Sequence, residues 1–365
     1  MKFLHVMKNE KFTKGISSFY GHHFANGEHE ILYVNTPGKE TLISPALNIR
    51  QEEIYQTGAD YKQLNAIYRY MKKYDYVVMH SMFLAHPLIL LYPKLIKKMI
   101  WIAWGYDLHN WPPKGSGIKH KIHVSVGNYL RNRCAGFVGI FPPDCDYFKE
   151  RFPAARAKVF YAPYAGPTVP PEYQNYTPEA NLEHDHTPIC IQIGHSATKS
   201  VNHLQVLEDL AHLKDNDIQL LLPLSYGDMD YGNEVQQRAE EIFGDKALCL
   251  REFMGKDAYF SLLRRVDIAV FNTQRQIGLS NVNSHAFRNV KLYMPQTCPM
   301  YQYYKDCGVP VQDYTDLKDI DFETLKKPVK TTDPERFEEY INSLQNMNKK
   351  VGYWETVYSA MKEVR

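Results

Sequence analysis

No run in this 365-residue chain reaches the ~20 consecutive apolar residues that a membrane-spanning helix needs. The first seven residues are mostly apolar, but Lys8, Asn9, Glu10 and Lys11 break the run at once. It is too short for a secretory signal core. The six cysteines, at 134, 145, 190, 249, 298 and 307, form no C-x-x-C pair. Most sit in apolar runs, as Cys190 and Cys249 do, so they read as buried free thiols in a reducing compartment. An excess of charge of one sign is also missing. Lys plus Arg is 43 against 41 for Asp plus Glu, a net +2, which gives no reason to expect a nucleic acid across the whole surface. The chain lacks an internal repeat, a low-complexity tract and a G-x-G-x-x-G dinucleotide loop. It has no D-x-D at a strand end, because Asp228-Met229-Asp230 falls in a turn past a strand. No metal and no cofactor is therefore expected.

What is present is ordinary globular material, 44% hydrophobic and 23% charged. A single core stops growing near roughly 250–300 residues, so a chain of this length is expected to divide in two. Tyrosine is abundant, at 27 residues. That suits clefts that touch sugars or bases, and equally an AT-rich codon usage.

Short apolar runs alternate with amphipathic stretches. Strands are expected at 3–7, 30–35, 76–80, 99–103, 136–141 and 158–163, with helical patterns at 54–73, 86–97, 118–132 and 144–151. Prolines crowd 166–188, which reads as a linker. Alternation then resumes, with strands at 189–193, 219–223, 247–251, 268–272 and 291–294. Helices fit 202–214, 230–243, 255–265, 280–289 and a long tail at 333–363. This is β-α-β alternation with parallel sheets. The expected fold class is α/β of the GT-B type, two Rossmann-like domains with parallel sheets facing a central cleft. The expected division is an acceptor-binding, membrane-facing domain at 1–165, the linker, a nucleotide-sugar domain at 189–332 and a helical tail at 333–365. Ligands bind beyond the carboxyl ends of such strands. Sugar-nucleotide epimerases and two-lobed binding proteins share the plan.

Three loops of the second half could hold a donor. At Gly194-His195-Ser196 an apolar strand runs into a glycine and then hydroxylated residues, which suits a phosphate or a sugar hydroxyl. An ordinary strand-to-helix turn fits as well. At Arg275 to Asn281 a strand ends in a polar loop, and Gly278-Leu279-Ser280-Asn281 opens a helix. A diphosphate on that helix start, with Arg275 beside it, would be stabilised as it departs. Ser225 and Tyr226, at a third strand end, could bond a phosphate or stack on a base.

In the first half, glycosyl transfer to a hydroxyl gains from a general base. Asp107, just after Trp104-Gly105 at a strand end, is the first candidate and His80 the second. Asp107 as a helix cap and His80 as a buried hydrogen-bonded histidine are the alternatives. His22 and His23, placed in the first loop, are weaker candidates. Between Lys94 and Arg133 lie eight basic residues, among them Lys97, Lys98, Lys119, Lys121, Arg131 and Arg133, and one acid, Asp107. The segment carries +7, so the rest of the chain is net −5. Three of the four tryptophans (Trp101, Trp104, Trp111) lie in it. Basic side chains mixed with Trp suit an anionic bilayer surface or a lipid-linked pyrophosphate. A solvated basic face over core tryptophans is the other reading.

With these motifs in order, the chain resembles the TDP-N-acetylfucosamine:lipid II N-acetylfucosaminyltransferases (4-alpha-L-fucosyltransferase, glycosyltransferase family 56). The stretches that match are 101–108, 194–203, 222–227, 256–267 and 275–278. The resemblance implies a GT-B enzyme, peripheral on the inner face of the cell membrane. It implies a nucleotide-activated deoxyamino sugar, with dTDP or UDP as carrier, and an undecaprenyl-pyrophosphate-linked acceptor in surface polysaccharide assembly. Gly194, Ser196 and Gly278 then belong to the donor side, and Trp104, Gly105 and Asp107 to the cleft wall. Two departures fall on the donor side: His195 stands where the family has Asn, and the helix after Gly278 starts with polar Ser280 and Asn281. They leave the sugar open.

Overall fold

The computed structural model describes residues 1–10, 12–56, 60–166 and 188–363. Two compact units divide the chain: Met1–Pro167 with Met347–Arg365, and Thr168–Asn346. The linker expected at 166–188 falls almost wholly outside the described residues.

The first unit holds seven parallel strands: β1 (Phe3–Lys8), β2 (His29–Asn35), β3 (Arg50–Tyr55), β4 (Tyr76–His80), β5 (Met99–Ala103), β6 (Gly136–Gly139) and β7 (Lys158–Tyr161). Their order is β3-β2-β1-β4-β5-β6-β7. Both faces are covered, so the central strands read as continuous apolar runs, Tyr76–His80 and Met99–Ala103 being buried throughout. The period of two splits β1 between two cores. Leu4 and Val6 join Val77, Met79, Trp101 and Phe137 on one face. Phe3 and Met7 join Tyr20, Val78 and Ile100 on the other, which Trp354, Tyr358 and Met361 complete. Those three come from the helix Met347–Lys362. The tail is therefore two helices, Pro334–Gln345 and Met347–Lys362, separated at Asn346, where the units divide.

Other local differences have simple causes. Residues 50–55 form an edge strand, not the start of a helix; its polar Arg-Gln-Glu-Glu hides a half-exposed strand from any hydrophobic count. The next helix, Tyr61–Met71, starts where the Asp60 carboxylate accepts from the amides of Lys62 and Gln63. The 86–97 pattern breaks into a helix, Ala85–Leu91, and a tight turn, Pro93–Lys98, because proline has no N–H to continue the ladder. A helix at Thr13–His23 was not legible amid Gly15, Ser17 and Ser18. It carries His22 and His23, exposed, at its far end and so not in the loop that follows β1.

The second unit has six parallel strands: β8 (Ile189–Ile193), β9 (Ile218–Pro223), β10 (Ala247–Leu250), β11 (Ile268–Val270), β12 (Lys291–Met294) and β13 (Val311–Asp313). Their order is β10-β9-β8-β11-β12-β13. Ile191, Leu220, Leu222, Val206, Val235 and Val270 make its core. In both units the first strand lies third in the sheet, where the strand order reverses. Loops at the carboxyl ends of the strands beside that point form the ligand crevice of such sheets. All six cysteines are free, four of them buried.

Candidate functional site

In the second unit the loops after β8, β9 and β11 converge. Gly194 has φ 64°, and a Cβ there would meet His203 Nε2 at 2.7 Å, so glycine is required. The Ala197 amide donates to Tyr226 O (2.8 Å) and the Asp228 amide to Ala197 O (2.8 Å), which stitches the first loop to the second. Asn202 Nδ2 donates to Asn272 O (3.0 Å), tying the first loop to the third. Gly278, at φ 65°, precedes the helix Leu279–Phe287. Asn281 and Val282 make the first bonds back to Gly278 O. Helix geometry leaves the amides of Leu279 and Ser280 without an intrahelical acceptor.

The His195 ring lies against Gly278. Ser196 Oγ is 3.3 Å from His195 Nε2 and 2.8 Å from Thr198 Oγ1. Ser196 also bonds the Tyr226 hydroxyl, which burial pushes up to about 12. Arg275 is half-buried in the loop before Gly278; its amide bonds Thr273 Oγ1 (3.4 Å) and its Nη1 donates to Gln276 O (3.1 Å). The structure thus gathers His195, Ser196, Tyr226 and Gly278, with Arg275 and the Leu279–Ser280 turn on the same loop. Ser225 is half-buried beside Tyr226.

Asn281 differs from the expectation. Its Oδ1 accepts from Gln192 Nε2 (3.1 Å) and from the Tyr259 hydroxyl (2.6 Å), so its side chain ties the helix to β8. Gln192 also meets His285 Nε2 at 2.8 Å, and burial lowers His285 to about 3, leaving it neutral. Sequence reading passed over this network. Its one signal was Gln192, a polar residue inside the apolar strand 189–193.

In the first unit an open hollow lies at the carboxyl ends of β1 and β4, lined by Met7, Lys8, Glu10, Phe12, Thr13, Ile16, His80 and Trp104. Phe12 stacks on Trp104 (5.2 Å between centroids), an aromatic wall suited to a sugar face. Thr13 holds the loop, donating to Lys8 O (2.5 Å) and accepting from the Glu10 amide (3.2 Å). Glu10 is an exposed carboxylate at the hollow that the sequence reading did not single out. His80, 6% exposed, turns Nε2 inward to His5 Nδ1 at 3.2 Å.

Asp107 faces inward. Its Oδ2 accepts from Trp101 Nε1 (2.7 Å) and the Met82 amide (3.1 Å), and its Oδ1 from the Trp104 amide (2.8 Å). Burial raises its carboxyl above the usual range against these bonds. It clamps the turn at Gly105 (φ 79°) that presents Trp104. This geometry is a helix-start clamp; His80 lines the hollow and Asp107 does not.

The basic segment is only partly a surface. Arg131 is a correction: it is 1% exposed, bonds Gly127 O and Asp107 O, and packs over Trp111 (3.8 Å) and Trp101 (5.0 Å). Trp101 and Trp111 are buried as well. Lys98 is half-buried, its Nζ donating to Tyr74 O at 2.8 Å. Lys97, Lys119, Lys121 and Arg133 are exposed. So are Ile118 (72%) and Ile122 (51%), one turn apart on the helix Gly117–Arg133. Among the described residues no helix is long and apolar enough to cross a membrane, and no group of three or more His, Cys, Asp or Glu side chains is placed to hold a metal ion.

Solved structures share the fold over whole chains at low identity. A glycosyltransferase from Rickettsia africae ESF-5 matches at 14% identity and TM-score 0.69, covering 100% of this chain and 99% of that one. Sucrose-phosphate synthase from Thermosynechococcus elongatus matches at 11% and 0.69, covering 100% of both chains. The Anabaena protein HepE in complex with UDP-glucose matches at 9% and 0.65, also covering 100% of both. These likenesses show the GT-B type of fold. The sequence decides the family: the model of the 4-alpha-L-fucosyltransferases matches residues 20–335, and the chain belongs to that family, glycosyl transferase group 56.

Proposed function

We propose that this glycosyltransferase moves a hexose-type sugar, an N-acetylated deoxyamino hexose, from dTDP or UDP to an undecaprenyl-pyrophosphate-linked saccharide in bacterial surface polysaccharide assembly. The observation that carries the donor half is the contact of the His195-Ser196 loop with Gly278 at the head of the helix Leu279–Phe287. There the amides of Leu279 and Ser280, with Arg275, meet the diphosphate and stabilise it as it leaves. Gly194 allows close backbone approach, and Ser196 and Tyr226 offer hydroxyls to the donor. The reaction so described needs no metal.

The acceptor reading rests on the hollow of the first unit. The Phe12–Trp104 wall takes a sugar face, and His80 or Glu10 takes the hydroxyl proton. Asp107 positions this wall. The exposed pair Ile118 and Ile122, flanked by Lys119 and Lys121, suits an anionic lipid surface. On this reading the protein works as a peripheral protein on the inner face of the cell membrane.

The test is nucleotide binding followed by turnover. Thermal shifts with dTDP, UDP and GDP are measured first, then diphosphate release from matching sugar donors with an undecaprenyl-linked acceptor extract. A dTDP or UDP shift with acceptor-dependent release supports the proposal. Release without acceptor points to an epimerase-type reaction. Binding without release points to a sugar-nucleotide-binding protein, and no shift with any nucleotide overturns the donor reading.

A further inference from the structure

Three histidines lie in a line on one face of the first unit's sheet. Phe3 pairs with His29, and His5 pairs with Val78, two residues before His80. With side chains alternating every residue, His29, His5 and His80 therefore share a face, each one strand over and two residues up. His5 Nε2 is 3.0 Å from His29 Nδ1, and His5 Nδ1 is 3.2 Å from His80 Nε2. The line runs from the start of β2 to the end of β4, where His80 lines the hollow. With Nε2 turned inward, Nδ1 is the His80 nitrogen left to the hollow. At the outer end His29 feels the carboxylate of Glu28, which bonds Lys362 Nζ at 2.8 Å.

We propose that His80, His5 and His29 form a proton relay that draws the acceptor's hydroxyl proton out of the hollow to the opposite end of the sheet. The inference deepens the proposed transfer reaction and rests on it. The acceptor O–H bond breaks, its electron pair stays on the attacking oxygen, and the proton bonds to His80 Nδ1. The Nε2 proton of His80 passes to His5 Nδ1, the Nε2 proton of His5 passes to His29 Nδ1, and the Nε2 proton of His29 leaves to water. One proton enters, one leaves, and each ring ends in its other tautomer. Water resets the chain in reverse once product has left the hollow: a proton returns at His29 Nε2 and one departs from His80 Nδ1.

The surroundings favour neutral rings throughout. The Tyr20 ring is 4.0 Å from His5, and Tyr358 is 4.6 Å from His29. Their hydroxyls bond each other at 2.7 Å, so neither is committed to the relay. Among the described residues, ions face the line at its ends: Lys8 and Glu10 at the hollow, and Glu28, Lys362 and the Met1 amino group outside. Burial holds all three histidines below their ordinary value. A chain that hands on a proton without keeping a charge suits such an interior.

The test needs no substrate at first. In the full-length protein labelled with ¹⁵N-histidine, NMR follows exchange of the His5 ring proton with water. A relay lets that proton exchange at least about tenfold faster than the β1 amides, which open only with the sheet, and His29→Gln slows it. Exchange no faster than the β1 amides and indifferent to His29→Gln overturns the relay. In the transfer assay, His29→Gln lowers kcat about tenfold at unchanged KM for donor and acceptor. The solvent-isotope proton inventory then changes from curved to linear. An unchanged kcat and inventory, with the β1 amides still protected, would likewise overturn it. If the wild-type protein releases no nucleotide diphosphate, the transfer reading fails while the exchange measurement still decides the relay.

Discussion

Gly278 and His195 touch: a Cβ on Gly278 would stand 3.0 Å from the Cγ of the imidazole ring. Gly278 is also at φ 65°. One position thus joins two loops of the proposed donor site and needs glycine twice over, for its backbone and for the ring above it. Gly278→Ala should cost about 1 kcal/mol for the left-handed conformation alone. It should also push His195 off the helix start. The expected result is a folded protein with a small loss in melting temperature and a raised KM for the donor, at unchanged KM for the acceptor. An unchanged donor KM would remove this contact from the donor site.

Asp107 and His80 separate by what each loses. Asp107→Asn puts an amide N–H where the carboxylate accepts from Trp101, Trp104 or Met82, leaving buried donors poorly matched at about 1–3 kcal/mol. Stability should fall, with turnover following only as Trp104 shifts. His80→Gln should instead lower kcat by about a hundredfold at near-native stability, the size of a lost general base. A stable, fully active His80→Gln protein would return the base role to Glu10.

The acid stability of the first unit follows from its buried histidines. His80 is lowered to about 3 and His29 to about 4 by burial, and His5 is lowered as well. Above pH 6.5 neither folded nor unfolded chain holds these protons, and there is no penalty. Below it the unfolded chain takes them up and the folded one does not. Stability therefore falls with pH by up to about 1.4 kcal/mol per unit for each group, until the folded values are reached. Urea unfolding at pH 7, 6 and 5 should show this decline, and a flat profile would contradict it.

Double substitution Ile118→Ser with Ile122→Ser removes exposed apolar area without touching the hollow. Binding to vesicles containing anionic lipid should weaken severalfold, at unchanged nucleotide binding. Wild-type binding should weaken further at high salt, because the lysines act through a screened field. Salt-independent binding would leave Lys119 and Lys121 no part in it.

Chelation tests the proposed metal independence of the transfer. Diphosphate release should survive EDTA, whereas Arg275→Ala should reduce it by at least about tenfold, as expected for one lost charge-assisted contact. Loss of activity in EDTA with recovery on adding a divalent ion would assign the diphosphate to a metal.

Much of the fold was legible because burial on both faces writes parallel strands as apolar runs. Tyr76–His80, Met99–Ala103 and Ile189–Ile193 could be found within a residue of their ends. The edge strand Arg50–Tyr55 could not, since an edge keeps polar residues. In the second unit, the turns at Gly194 and Gly278 were legible because glycine marks a conformation that other residues avoid. Glu10 was not, for a carboxylate after a short strand looks like any surface acid until Thr13 closes the loop around it.

The sequence alone determined the alternation of elements and the family, because periodicity and local motifs are written in neighbouring residues. Only the tertiary structure decided what the polar residues do. Arg131 looked like one more surface cation, yet it packs on Trp101 and Trp111 because Gly127, Leu130 and Arg131 form the buried side of its helix. His5, His29 and His80 are far apart in the chain, and parallel register alone sets them within hydrogen-bond reach. Register depends on how whole strands pack, which no local pattern records.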